Sequence, residues 1–528
     1  MTSKSAVRAA LLACFAAGAA GACSGSDGVA SPGEGVFVPS PPVAPPAAPP
    51  AAPPPPGPPA GPAAACPAGF LNAGVVANLR NCQLPALVTG TLNVPKLTGV
   101  VYSITSVVDV GQDRGADPAA PIAGTIAGTL SVDPGVTIFG SGGLDFIRVN
   151  RGSLISAAGT AADPIIFTSR ADVEDASLAD EAPGSQWGGL LILGRAPVSE
   201  GCPVGVNPPN AACTPQAEAT NAVYGGNTPT DSSGRISFAV IKYPGFTVTT
   251  NKELNGLTLA GVGNGTVIEN VQVHQSSDDG VEIFGGNVNV RNIVITGADD
   301  DGFDTDLGWR GTAQYLLAVQ RTTGGDRGFE WSAYSSGVTP NVGADGKIVY
   351  RSQPRISNAT VVMRSNAASS QAMVLNSGTE AFIHNSVFTR QGPSANTCVD
   401  IDDTVTITAG ATFKSVFLSC GAAPFTEDTS VNAAATQAEF AKASNTNNTQ
   451  AGASTLTARP GASTAFINGM NENNVPVAAA GTGATTTMAN PVGFPFLTTP
   501  ANIGAVHPGM LTWYQGWTCS PMIGEESC

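Results

Sequence analysis

Short apolar alternations recur along the middle of the chain. Val271/Val273, Val281/Ile283, Val288/Val290 and Ile293/Ile295 each flank polar residues, and Gly, Asn and Asp fill the gaps between them. That is the period of half-buried strands, not of helices. Residues 268–284 and 290–306 superpose: Asn270 falls on Asn292, Val271 on Ile293, Asp279 on Asp301, Gly280 on Gly302 and Glu282 on Asp304. Every offset is 22. A looser third copy follows at Asp326-Arg-Gly-Phe-Glu-Trp331, with Gly328 placed 26 beyond Gly302. A fixed period of this size marks stacked units. Two or three short strands per unit predict an all-β fold, a right-handed parallel β-helix whose coils lie about 4.8 Å apart. About 10 to 14 coils are expected between residues 100 and 425.

Outside the repeats the same signals continue. Residues 128–139 and 147–169 alternate and contain turn residues. Residues 356–363 and 382–388 each place an asparagine two positions after an isoleucine (Asn358, Asn385), as Asn270 follows Ile268. Asn292 follows Val290 in the same way, so a stack of asparagines supporting solenoid turns is expected. Residues 196–231 are rich in Pro and Asn and read as a loop projecting from one coil. Beyond Cys420, residues 431–444 have helical propensity, and Phe494, Phe496, Trp513, Tyr514 and Trp517 form an aromatic end. Open sheet edges need covering, so residues 430–528 are expected to cap the last coils. The organisation is then 1–22 signal, 23–66 anchor and tether, 67–117 N-terminal cap and first strands, 118–429 β-helix and 430–528 C-terminal cap.

Stacking gives the acids their interest. Asp278 would lie near Asp300, Asp279 near Asp301 and Glu282 near Asp304, with Asp306 close by. Like charges on neighbouring strands repel. The cluster therefore calls for a cation, raised pKa values or a basic partner such as Arg327. Seven oxygen-donor residues (Asp278, Asp279, Glu282, Asp300, Asp301, Asp304 and Asp306) suit a hard cation, with Ca²⁺ as the candidate cofactor. The plain alternative is turn chemistry with solvated side chains. A third reading makes Asp279, Asp301 and Glu282 catalytic carboxylates. Trp309 and Trp331 then either stack on sugar rings or pack in the wall.

Composition narrows the partners. A net charge of −15 argues against nucleic acid and anionic membrane surfaces, and three histidines argue against His-rich metal chemistry. Lys4 and Arg8 precede a short apolar run at 9–20, the pattern of an export signal. The run ends at Ala20-Gly-Ala-Cys23, which resembles a bacterial lipobox without its usual leucine. That resemblance makes Cys23 a lipidation site, and Ser24 after it implies outer-membrane sorting. An ordinary signal peptide cut near Ala22 is the alternative. The Pro/Ala-rich tract at 31–65 is an extended tether. Among the remaining cysteines, Cys66 and Cys82, Cys202 and Cys213, Cys398 and Cys420, and Cys519 and Cys528 lie near each other in sequence. An exported chain makes disulfides the expectation, and near-neighbour bridges the simplest one among many connectivities.

A family resemblance rests on Asp133-Pro-Gly-Val-Thr-Ile138, Arg151-Gly-Ser-Leu-Ile-Ser156, Asp163-Pro-Ile-Ile-Phe-Thr-Ser169 and Trp187-Gly-Gly-Leu-Leu-Ile-Leu-Gly194. It continues through Asn255-Gly-Leu-Thr-Leu259, the acidic repeats and Trp513-Tyr-Gln-Gly-Trp517. The series resembles bacterial exported, pectin-lyase-like parallel β-helix lipoproteins and surface proteins, largely uncharacterised. This resemblance implies an outer-membrane lipoprotein, facing the periplasm or cell surface, with a structural or binding role. Its membrane contact would be the N-terminal lipid, and its partner a glycan or an outer-membrane protein. Asp278-Asp279-Gly280 also resembles the paired-Asp coil of polygalacturonase-like glycosidases. The alternative function is therefore a polysaccharide hydrolase or lyase acting through residues 278–306. That family's Gly-His-Gly turn and Arg-Ile-Lys strand are absent, since Arg235-Ile-Ser and Arg355-Ile-Ser lack the lysine.

Overall fold

The computed structural model describes residues 61–528 except 176, 250–251, 367–369, 393–395, 480–496 and 510–512. The signal, Cys23, most of the tether, Phe494 and Phe496 lie outside the described residues.

The chain winds into a parallel β-helix. One sheet has fifteen strands and a second has ten, and successive strands in each come from successive coils. Strands Val267–His274, Asn289–Thr296 and Thr312–Val319 are neighbours in the first sheet, while Leu257–Ala260, Val281–Phe284, Phe303–Asp306 and Arg327–Trp331 are neighbours in the second. Inward residues of both sheets, among them Ile268, Val271, Ile293, Ile283 and Phe303, form one continuous core. Ten successive strands of the first sheet and nine of the second fall between residues 100 and 425, at the lower end of the 10 to 14 coils expected. Two long excursions, 194–233 and 332–354, consume chain without adding a rung.

The long strands of the first sheet have a phase break. Ile268, Val271 and Val273 all face inward, which strict alternation forbids unless one residue is skipped. The skipped residue is Asn270, with φ 54°, and the pairing register passes over it against Asn292, φ 56°. Phe238, Tyr315, Asn358, Asn385 and Ser415 are likewise left-handed along this sheet. Asparagine tolerates that conformation better than most side chains. Asn292 Nδ2 donates to Asn270 Oδ1 at 2.8 Å, and Asn385 Nδ2 to Ser357 Oγ at 3.1 Å. The expected asparagine stack is therefore a column of one-residue bulges.

Only part of residues 430–528 caps the last coil. Helix Ala433–Phe440 starts on Asn432, whose side chain accepts from Ala435 N, and packs Phe440 against Phe413 and Phe425. The later segments instead run back along the outer face of the first sheet. Ser415 Oγ donates to Pro476 O, Thr498 N to Gln314 Oε1 at 2.8 Å, Asn358 Nδ2 to Asn502 O at 2.7 Å and Cys519 N to Gln272 Oε1 at 2.8 Å. Trp517 meets Phe238 edge-on at 5.8 Å. The cause is visible in the strands: Val240, Val294, Leu317, Val319 and Val362 point outward, and they are buried by Val506, Tyr514, Trp517, Met522 and Ile523. An apolar outer face of this size demands a cover. The disulfides join the four sequence-near pairs, Cys66–Cys82, Cys202–Cys213, Cys398–Cys420 and Cys519–Cys528.

Candidate functional site

The acidic repeats meet on the outer face of the second sheet. Glu282 pairs with Asp304, and Asp304 with Glu330, on three successive strands. Each strand is entered by a tight turn: Asp278-Asp279-Gly280, Asp300-Asp301-Gly302 and Asp326-Arg327-Gly328. A Cβ at Gly280 would lie 2.7 Å from Gly302 O, and one at Gly302 would lie 2.6 Å from Gly328 O. Glycine is required because neighbouring backbones touch there. Each turn is also tied to the next coil. Asp301 N donates to Asp279 Oδ1 at 3.0 Å, and Arg327 N to Asp301 Oδ1 at 2.7 Å.

These turns and strands line a cavity of about 490 Å³ with Asp278, Asp279, Glu282, Asp300, Asp301, Asp304 and Glu330. Carboxylate oxygens fall into overlapping triads, Asp278/Asp279/Asp300, Asp279/Glu282/Asp304 and Asp300/Asp301/Asp326, with atoms in each within 4.8 Å of one another. Asp306 was expected in this set and is not part of it. Its outward position lies one strand pair further along, opposite Phe284, and its Oδ1 accepts from Leu307 N at 2.6 Å.

The cavity also contains acids that the repeat analysis did not assign. Glu330 follows from the third copy once the 26-residue offset is applied to Asp304. Glu218 and Glu253 come from the excursion at 194–233 and from strand Lys252–Leu254, where no periodic signal exists. Asn255 is 3% exposed, donates through Nδ2 to Glu282, and leaves Oδ1 buried without a hydrogen-bond partner.

Burial and then mutual repulsion set the protonation of the cluster. They push Asp278 up to about 8 and Asp300 up to about 6. Asp279, Glu282, Asp301 and Asp304 are held well above the usual carboxylate range for the same two reasons. Asp306 rises to about 7 through burial, against the lowering effect of the Leu307 N–H. Arg327 offsets part of the charge by pairing with Asp326 and, at 3.2 Å, with Glu330.

The two tryptophans are not available to a sugar. Trp309 and Trp331 are both fully buried in the core. Trp309 Nε1 donates to Val288 O at 3.1 Å, and Trp331 stacks on Phe329 at 5.6 Å. Strand parity is the reason: Glu330 faces outward, so Phe329 and Trp331 face inward.

A parallel β-helix with a carboxylate-lined cavity on one lateral face defines the class. A family model described as "Pectate-lyase like beta helix domain" matches residues 120–518, and the chain belongs to that family. No curated protein and no solved structure matches the chain significantly.

Proposed function

We propose that the protein is an exported β-helix, lipid-anchored through Cys23 at the outer membrane, whose acidic cavity binds Ca²⁺ and whose role is structural or ligand-binding. The carrying observation is the two triads Asp278/Asp279/Asp300 and Asp279/Glu282/Asp304, which share Asp279 and line the same cavity as Asn255 with its unpartnered Oδ1. Oxygen donors of this number and kind suit Ca²⁺. Four disulfides fit an oxidising compartment, in keeping with export. A cation would hold Asp278, Asp279, Glu282, Asp300 and Asp304 ionised and remove their repulsion. A glycan or an outer-membrane protein remains the proposed partner.

Raised carboxyl pKa values also favour a second reading, a polysaccharide-active enzyme with Asp279, Asp301 and Glu282 in acid or base roles. Spacing narrows it: oxygens of Asp279 and Glu282 lie within 4.8 Å, closer than the roughly 6.5–9.5 Å that an inverting glycosidase leaves for its water. A thermal melt separates the readings. Millimolar Ca²⁺ should raise the wild-type Tm, by linkage, and chelator should lower it. Asp279→Asn/Asp301→Asn should lose that response. A wild-type melt indifferent to Ca²⁺ rejects the cation site, and glycan cleavage lost in the same variant would establish the enzyme.

A further inference from the structure

Near the far end of the C-terminal segment, Lys242 and Asp172 form a contact that the cavity does not use. Lys242 ends strand Gly234–Lys242, and Asp172 sits in the short helix Arg170–Glu174 that follows strand Ile165–Ser169 of the neighbouring coil. Lys242 Nζ lies 2.7 Å from both Asp172 oxygens. The two side chains are only 6% and 12% exposed. Thr168 Oγ1 donates to Asp172 Oδ2 at 2.6 Å, and Lys242 Nζ also donates to Cys528 O. Tyr243 and the fully buried His274 pack edge to face beside the pair. Asp180, which accepts from Ser520 Oγ at 2.9 Å, supplies a second carboxyl to this pocket.

We propose that Lys242 and Asp172 condense into an intramolecular isopeptide bond. The chemistry balances without a co-reactant. Proton transfer from the ammonium to the carboxylate along their hydrogen bond gives an amine and a carboxylic acid. The Nζ lone pair attacks Cγ, the Cγ–OH bond breaks, and the departing hydroxide takes a proton from nitrogen and leaves as water. Two buried charges become one neutral amide. A buried ion pair keeps a large desolvation cost that the amide avoids, and fixed proximity replaces a bimolecular encounter. The environment favours the neutral amine that such a reaction needs. Burial lowers the Lys242 pKa, opposed by Asp172 and Asp180, and burial raises that of Asp180. A lysine made less basic by burial is the activated form of this nucleophile. The bond would close the chain between 172 and 242, a span holding the 194–233 excursion, and so act as a staple on the unfolded state as a disulfide does.

The residues around this contact supply no alternative metal site among those described. Asp180, His274 and Cys528 approach each other, but Cys528 Sγ is bonded to Cys519 and has no thiolate to offer.

The test is tryptic mapping of the full-length folded protein by mass spectrometry. The expected product is a branched peptide joining the segments that contain Asp172 and Lys242, one water lighter than their sum, with no cleavage after Lys242. Asp172→Ala should yield linear peptides and restore cleavage there. Asp172→Asn should yield the same branched peptide, because loss of ammonia replaces loss of water. Linear peptides with efficient cleavage after Lys242 in the wild type overturn the proposal, as does a branch to any other residue. The wild-type map decides the matter even if a variant fails to fold.

Discussion

The two outer faces of the solenoid are built from the same coils and have opposite fates. On the first sheet the outward positions are apolar (Val240, Val294, Leu317, Val362), and the chain's own C-terminal residues cover them. On the second sheet the outward row is Glu282, Asp304 and Glu330, bordered by the acidic turns, and it lines a cavity. A repeat therefore does not determine a face. The outward residue type does: apolar positions recruit cover, and clustered acids keep cover away until a counter-charge arrives. Under the covered face, Gln272 and Asn358 hydrogen-bond directly to the covering segment. Those in the cavity keep a surplus of like charge.

The largest break in this comparison comes from removing the cover. Trp517→Ala, at a position 2% exposed, should cost about 3–5 kcal/mol of stability. Chemical denaturation measures that loss. The calcium response of the melt should survive it, since the two faces share no side chain; its disappearance would mean that they are one cooperative device.

Acidity should split the faces by sign. In chelator, Asp278 binds its proton more tightly folded (about 8) than unfolded (3.8), so its burial destabilises above about 8 and is relieved as pH falls towards 4. His274 runs the other way. Buried without charge, it falls to about 3 from 6.5, so stability is lost as pH drops below 6.5. Between pH 8 and 6.5 only the acids contribute, and denaturation in chelator should show stability increasing on acidification. Calcium should flatten that slope. A slope of opposite sign in chelator would mean that the carboxylates are not protonated together.

The smallest effect belongs to the bulge column. Asn292→Gly keeps the left-handed backbone and loses the bond to Asn270, which costs about 1 kcal/mol. Asn292→Ala should cost about 1–2 kcal/mol more, because alanine resists that conformation. Equal losses in the two variants would assign the whole role of the column to hydrogen bonding.

What could be read in advance follows from which contacts are periodic. The 22-residue offset placed Asp279 against Asp301 and Glu282 against Asp304, and the structure pairs the second of these directly. Glu330 lay within the third copy but was not assigned to the cluster, because that copy is looser: one extra residue precedes strand Thr312–Val319 and three more follow it, giving an offset of 26. Glu218 and Glu253 arrive from non-repeating chain, which no period reveals. Trp331 was readable by parity from its neighbour Glu330, since adjacent strand residues face opposite ways. The path of the C-terminal segment was not readable. Apolar residues on both faces of strands such as Thr312–Val319 announce that something must cover them, yet long-range docking leaves no local pattern to say what.

That docking has a consequence in time. The chain is made from its N-terminus, and coils can stack as they emerge. The residues that cover Val240, Phe238 and Gln272 lie between 505 and 528, so they emerge after every coil they cover. Until then the completed coils would present a bare, hydrophobic flank. Any holdase escorting this protein has its natural foothold there, and the arrival of Trp517 and its neighbours is the event that dismisses it.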